Sequence, residues 1–152
     1  MQYAQLRYSG SNQMRDADLF AAGLGYRKAF LGSWQPLVSV NLNGGVEHDI
    51  RGRPDFGREL YGGRLALSVT PAAKWAVSLG TTYLHSHYQG PDVVLATVRK
   101  DNYVAADATV SYAYTRNLSV RVELLGSKNS SNLDLYAYRR DIVALKVRYD
   151  FK

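Results

Sequence analysis

Near the end of the chain every second residue is apolar. Val143, Leu145, Val147, Tyr149 and Phe151 share one face, and Ala144, Lys146, Arg148 and Asp150 share the other. Alternation at period two marks a β-strand whose faces meet different surroundings. The same pattern recurs upstream. Ala4, Leu6 and Tyr8 oppose Gln5 and Arg7, and Phe20, Ala22, Leu24 and Tyr26 oppose Ala21, Gly23, Gly25 and Arg27. Val38, Val40 and Leu42 oppose Ser39, Asn41 and Asn43, with Glu47 continuing the polar side. Tyr61, Leu65, Leu67 and Val69 oppose Gly62, Arg64, Ala66 and Ser68, and Trp75, Val77, Leu79 and Tyr83 oppose Ala76, Ser78, Gly80 and Thr82. Val104, Ala106, Ala108, Val110, Tyr112 and Tyr114 then oppose Ala105, Asp107, Thr109 and Ser111, and Leu118, Val120, Val122 and Leu124 oppose Ser119, Arg121 and Glu123.

The links between these segments alternate in length. Leu31-Gly32-Ser33, Pro71-Ala72-Ala73-Lys74 and Thr115-Arg116-Asn117 are short, whereas 9–16, 48–59, 88–101 and 127–134 are longer and polar. One end of the sheet therefore carries tight turns and the other extended loops, which is how bacterial barrels place periplasmic turns and extracellular loops. The less apolar face carries small residues and scattered ions: Arg7, Arg27, Glu47, Arg64, Asp107, Arg121, Glu123, Lys146, Arg148 and Asp150. Small side chains beside opposite charges suit a narrow interior in which ions pair. The pattern predicts an all-β fold: an antiparallel up-and-down transmembrane β-barrel of about eight strands, in one domain over 1–152. The ions would form a network filling an eight-stranded interior, or would line a wet lumen if the chain is the C-terminal part of a larger barrel.

Composition sharpens this picture at three points. The apolar fraction of 46% is ordinary, and no run approaches the roughly 18 apolar residues of a spanning helix, which leaves barrels open. Twelve tyrosines stand against four phenylalanines and two tryptophans, a bias that suits boundaries between hydrocarbon and water. Tyr26, Trp34, Trp75, Tyr112 and Tyr114 lie near the short-turn end, with Tyr149 and Phe151, and Tyr83 lies nearer the long loops with Tyr8, Tyr61 and Tyr103. Cysteine is absent, which excludes disulfides and thiolate metal sites. Met1-Gln2-Tyr3-Ala4-Gln5 lacks the basic start and apolar stretch of a secretory signal. The expectation is a cytoplasmic chain, or a mature or excised segment carrying an added Met.

A net charge of +6 allows a polyanionic partner. Arg51, Arg53, Arg58, Arg139 and Arg140, with Arg99 and Lys100, fall mostly in the long loops. There they could meet lipopolysaccharide phosphates, for which paired Arg donors are suited, or be ordinary solvated loop charge. No nucleic-acid signature is present. His85-Ser86-His87 and His48 sit at the long-loop ends of two strands, where a divalent-metal site or a Ser/His lipid-ester hydrolase would be conceivable. Ser86 points to the face opposite His85 and His87, however, so polar rim residues are the simpler reading. No catalytic residue, metal or cofactor is expected.

The terminal set Val143, Leu145, Val147, Tyr149 and Phe151 resembles the C-terminal strand of Gram-negative outer-membrane proteins, which the barrel-assembly machinery reads. Lys152 after the terminal aromatic departs from that pattern. More loosely, 52–62 (GRPDFGRELYG) and 131–140 (SNLDLYAYRR) resemble barrel segments of large outer-membrane proteins in which a tetratricopeptide-repeat region precedes the barrel, as in surface lipoprotein assembly modifiers. The resemblance implies an outer-membrane location, lipid and lipopolysaccharide as surroundings, and a non-enzymatic anchor that translocates or displays an exported protein or polymer. Three other readings stay open: a stand-alone structural or adhesive barrel, a lipid-modifying barrel enzyme, and a soluble lipocalin-like binder with its apolar faces turned inward.

Overall fold

In a computed structural model describing residues 1–151, the chain forms one sheet of eight antiparallel strands in sequence order. They are β1 (Gln2–Leu6), β2 (Ala17–Ala29), β3 (Leu37–Asp49), β4 (Arg58–Ala72), β5 (Trp75–Pro91), β6 (Val98–Ala113), β7 (Leu118–Ser131) and β8 (Tyr138–Tyr149). Short 3-10 turns, Gly10–Arg15 and Asp134–Tyr136, interrupt two of the long-side connections. Lys152 lies outside the described residues.

Register and alternation sort the side chains as the sequence pattern predicts for β2 through β8. Tyr26 pairs with Val40, Val40 with Leu65, and Val110 with Val122, which pairs with Leu145, all on the apolar face. Asn41 pairs with Arg64 and Arg64 with Thr82 on the polar face. Strand β1 departs. Tyr3 pairs with Phe20 and stacks on it at 4.8 Å, whereas Ala4 and Leu6 pair with Leu19 and Ala17. Alternation therefore puts Tyr3 and Gln5 on the apolar face and Ala4 and Leu6 on the polar one, the reverse of the expected assignment. Five residues are too short a run for periodicity to choose the face; pairing with β2 decides it.

The strands also run past their expected ends on the long-loop side. Strands β5, β6 and β7 reach Pro91, Val98 and Ser131, so 92–97 and 132–137 are all that remains of the two later loops. These extensions are polar on both faces, which hides them from a search for alternating hydrophobicity. At the other end, the link 30–36 is longer than the expected turn, and Trp34 lies in it rather than opening β3. Gly32 at φ 152 and Gln35 at φ 44 shape that turn.

Closure is the main correction. Strands β1 and β8 each pair on one side only, so the sheet is an open ribbon and not the expected closed eight-stranded barrel. Strand β1 covers only Ala17–Ala21 of β2, so Ala22–Ala29 form a bare edge. Burial is correspondingly slight. The buried hydrophobic residues are Ala17, Tyr88, Ala105 and Leu133, and Ser86, Asp101, Ser127 and Asn129 are buried with them. All belong to the long-loop half or its connections. The apolar face is open: Leu24, Val143 and Leu145 are 78%, 76% and 70% exposed.

Candidate functional site: the loop-side cavity and the polar face

The four long-side connections touch one another in sequence order, and charged residues make two of the three joints. Asp16, 2% exposed, closes the β1–β2 link by accepting the Tyr8 amide at 2.8 Å. It also accepts Arg51 of the β3–β4 loop at 2.6 Å. In that loop Asp49 Oδ1 accepts the amide of Arg51 at 3.0 Å and also that of Arg53, an Asx turn, while its Oδ2 is buried without a partner. Arg53 donates to Asp55 at 2.7 and 2.8 Å and lies over Phe56 at 4.6 Å. The next joint is a close approach between loops. A Cβ on Gly90 would lie 2.8 Å from Pro54, so only glycine lets the β5–β6 hairpin come this near. The last joint is the Tyr136 hydroxyl donating to Asp92 at 2.6 Å.

These contacts border a half-open cavity of about 380 Å³ over the polar face. Its walls alternate cations and rings. Arg99 lies 4.6 Å from the Tyr88 ring and 3.6 Å from the Tyr136 ring, while its guanidinium is paired with Asp101. Arg58 lies 5.9 Å from Tyr88 and donates Nε to Glu47 at 2.8 Å. Arg15 lies 5.7 Å from both Tyr8 and Phe56. Guanidinium groups favour such faces because they are planar and weakly hydrated. Bonding tunes the acids of this cap. The Tyr8 amide and Arg51 hold the Asp16 carboxyl below its usual range, Arg53 does the same for Asp55, and the Tyr136 hydroxyl with the Leu95 and Val94 amides does so for Asp92. The Asp92 carboxylate in turn raises the Tyr136 phenol.

The expected interior ions resolve into separate pairs. Glu47 takes Arg58, Arg64 forks onto Asp107 at 2.6 and 2.9 Å, and Arg148 takes Asp150 at 2.9 Å. Glu123 takes Lys146 at 2.6 Å and Arg121 at 3.6 Å. Arg27 has no ion-pair partner among the described residues. Arg7 does not join this set: it follows β1 and bonds Asp18 at 2.8 Å, and by register Asp18 shares the apolar face with Phe20. Most of these ions are partly solvated, which suits an open face better than a filled interior.

Of the loop arginines expected to reach outside anions, Arg51, Arg53, Arg58 and Arg139 each bond a carboxylate of the chain, with Arg139 on Asp141 at 3.2 Å. Only Arg140 has no such partner among the described residues. The histidines do not converge, because β4 lies between β3 and β5. His85 bonds Asn102 at 2.8 Å and stacks on Tyr61 at 5.0 Å, and His48 pairs across to Asp18. No group of three or more acidic or histidine side chains could hold a metal among the described residues. Tyr26, Trp75 and Tyr112 lie on the apolar face near the short turns, with Trp75 and Tyr112 stacked at 4.6 Å, and Tyr114 and Trp34 sit in those turns. Tyr83 shares the face nearer the loops, whereas Tyr103 turns to the polar one.

Alternation along the chain assigns no role to Arg15, Phe56, Tyr88, Asp92 and Tyr136, and marks Arg99 only as a loop cation. Each comes from a different connection or strand end, so no local spacing brings them together. Comparison with protein-family models, curated proteins and solved structures found no match.

Proposed function

We propose that this chain is a stretch of a bacterial outer-membrane β-barrel wider than eight strands, serving as a non-enzymatic anchor and a translocation or display module. The exposed apolar face carries the reading. A soluble monomer of 17.0 kDa exposes about 7,700 Å², whereas this chain exposes 10740 Å². Burying a Leu or Val contributes about 1.5–3 kcal/mol. Leaving the exposed parts of Leu24, Leu42, Leu65, Leu79, Leu124, Val143, Leu145 and Val147 in water would forfeit on the order of 7–15 kcal/mol. That rivals the entire net stability of a soluble domain. Acyl chains against this face remove the cost.

The bare edges support the extra width. In hydrocarbon each unpaired backbone group costs several kcal/mol, so Ala22–Ala29 and the free side of β8 require further strands. A wider barrel also leaves the polar face wet, in keeping with its solvated ion pairs. The test is folding of the whole barrel, this chain together with the strands that pair its two edges, from urea into lipid vesicles, read by heat-dependent migration on a denaturing gel. Vesicle-dependent folding is expected. A monodisperse monomer without lipid or detergent would overturn the proposal.

A further inference from the structure

We infer that the loop-side cavity is a binding subsite for a neutral saccharide of one or two rings. The inference rests on the cavity alone, so it survives if the membrane reading fails. Its volume of about 380 Å³ falls at the lower end of the range for small-ligand sites. Its charged lining is Arg15, Arg58 and Arg99 against Glu47, Asp55 and Asp92, so the wall carries no net charge. A phosphate or sulfate would meet two arginines whose charge is already balanced, Arg58 by Glu47 and Arg99 by Asp101. It would also lie beside three acids, and like charges in so small a space repel strongly. A purely apolar ligand would strand the same polar groups without hydrogen bonds.

A sugar ring meets both demands. Its hydroxyls are donors and acceptors at once, so neighbouring hydroxyls need an acceptor next to a donor. The Arg58–Glu47 pair offers this arrangement. Arg58 spends Nε on Glu47 Oε2, leaving its Nη groups as donors beside Oε1 as acceptor. The Tyr88 ring borders this pair, but Arg58 and Arg99 lie over it and the residue is buried, so it contributes an apolar edge to the wall rather than a stacking face. Arg15, which has no carboxylate partner among the described residues and lies over Tyr8 and Phe56, supplies further donors on the opposite wall.

Saturation-transfer NMR on the whole chain in a detergent without sugar headgroups tests this, with maltose, N-acetylglucosamine, inorganic phosphate and glycine as probes. Transfer to the ring protons of at least one saccharide is expected, unaffected by excess phosphate or glycine. Glu47→Gln should weaken it about tenfold, the scale of a lost hydrogen bond to a charged group. Arg116→Ala in a far-end turn should leave it unchanged. Because Glu47→Gln preserves shape, it distinguishes a lost contact from a lost fold. Displacement of the sugar by phosphate or glycine overturns the proposal, as does no transfer from a protein whose gel migration shows it folded.

Discussion

Arg64 of β4 reaches Asp107 of β6 across the intervening strand, with Nη1 2.6 Å from Oδ1 and Nη2 2.9 Å from Oδ2. The path is open because Gly80 of β5 lies beneath it: a Cβ there would sit 2.3 Å from Arg64 Nη2 and 2.8 Å from Asp107 Oδ1. Thr82, opposite Arg64, adds a bond at 3.1 Å. A parallel two-pronged contact of this kind fixes orientation as well as attracting charge. It staples three strands on the polar face near mid-sheet.

Gly80→Ala should therefore break the staple without touching either charge. The guanidinium and the carboxylate are both partly solvated, so the loss is discounted from that of a buried pair. A destabilisation of about 1–2 kcal/mol is expected in urea titrations of the lipid-folded protein. Arg64→Met should add little on top of Gly80→Ala, because the interaction is already gone. Additive effects of the two changes would disprove the coupling.

The Gly80 staple also shows where sequence reasoning stops. Alternation placed Arg64, Gly80 and Asp107 on one face, yet which ions meet depends on register, and register is set by strands that are distant in the chain. Periodicity was reliable over β2 to β8 because each has one consistently apolar face. It misjudged β1, where five residues leave the pattern ambiguous, and with it the face of Arg7. It was silent on the cap, since Asp16–Arg51, Asp92–Tyr136 and Arg99–Tyr136 join segments with no shared spacing. Closure could not be read at all: a strand's sequence does not reveal whether its far edge is paired.

Orientation toward lipid can be tested by single charges. Leu79 lies on the apolar face of β5, midway between Trp75 and Tyr83. Leu79→Arg should cost about 2–4 kcal/mol in folding into vesicles, the penalty for arginine at the hydrocarbon midplane. Thr109→Lys, on the polar face of β6, should cost far less because the ammonium stays in water. In a soluble fold the exposed Leu79 would tolerate the change to within about 0.5 kcal/mol. Equal, small effects at the two sites would therefore count against insertion.

The cap should loosen in acid and hold at neutral pH. Asp16, Asp55 and Asp92 all have folded-state pKa values below the ordinary range, so their stabilisation is complete above that range. It is lost as pH falls through the depressed values, that is, below about pH 4. The Tyr136 phenol is raised instead, so its contribution is complete below the ordinary tyrosine value and disappears as pH rises through the higher folded one. Amide hydrogen exchange of 50–57 and 92–97 should show steady protection between about pH 5 and 9 and faster opening below about pH 4 and above about pH 10, after correction for intrinsic rates. Loss of protection between pH 5 and 7 would contradict this.

The two tryptophans report depth. Trp75 stacks on Tyr112 at 4.6 Å at the short-turn end of β5, and Trp34 lies in the link between β2 and β3 at the same end. Tyr83, eight positions from Trp75 on the same face, stands roughly 27 Å along the strand at ~3.4 Å per residue. With a tilt near 40°, the two rings are about 20 Å apart in height, comparable to the apolar band between aromatic girdles. Both tryptophans should therefore sit at one interface rather than at mid-bilayer. Lipids brominated near the headgroup should quench them more strongly than lipids brominated near the chain ends, and Trp34→Phe should leave that ranking intact for Trp75 alone. Stronger quenching by the deep label would place the short turns inside hydrocarbon, where the ions of Arg116 and Lys74 could not remain.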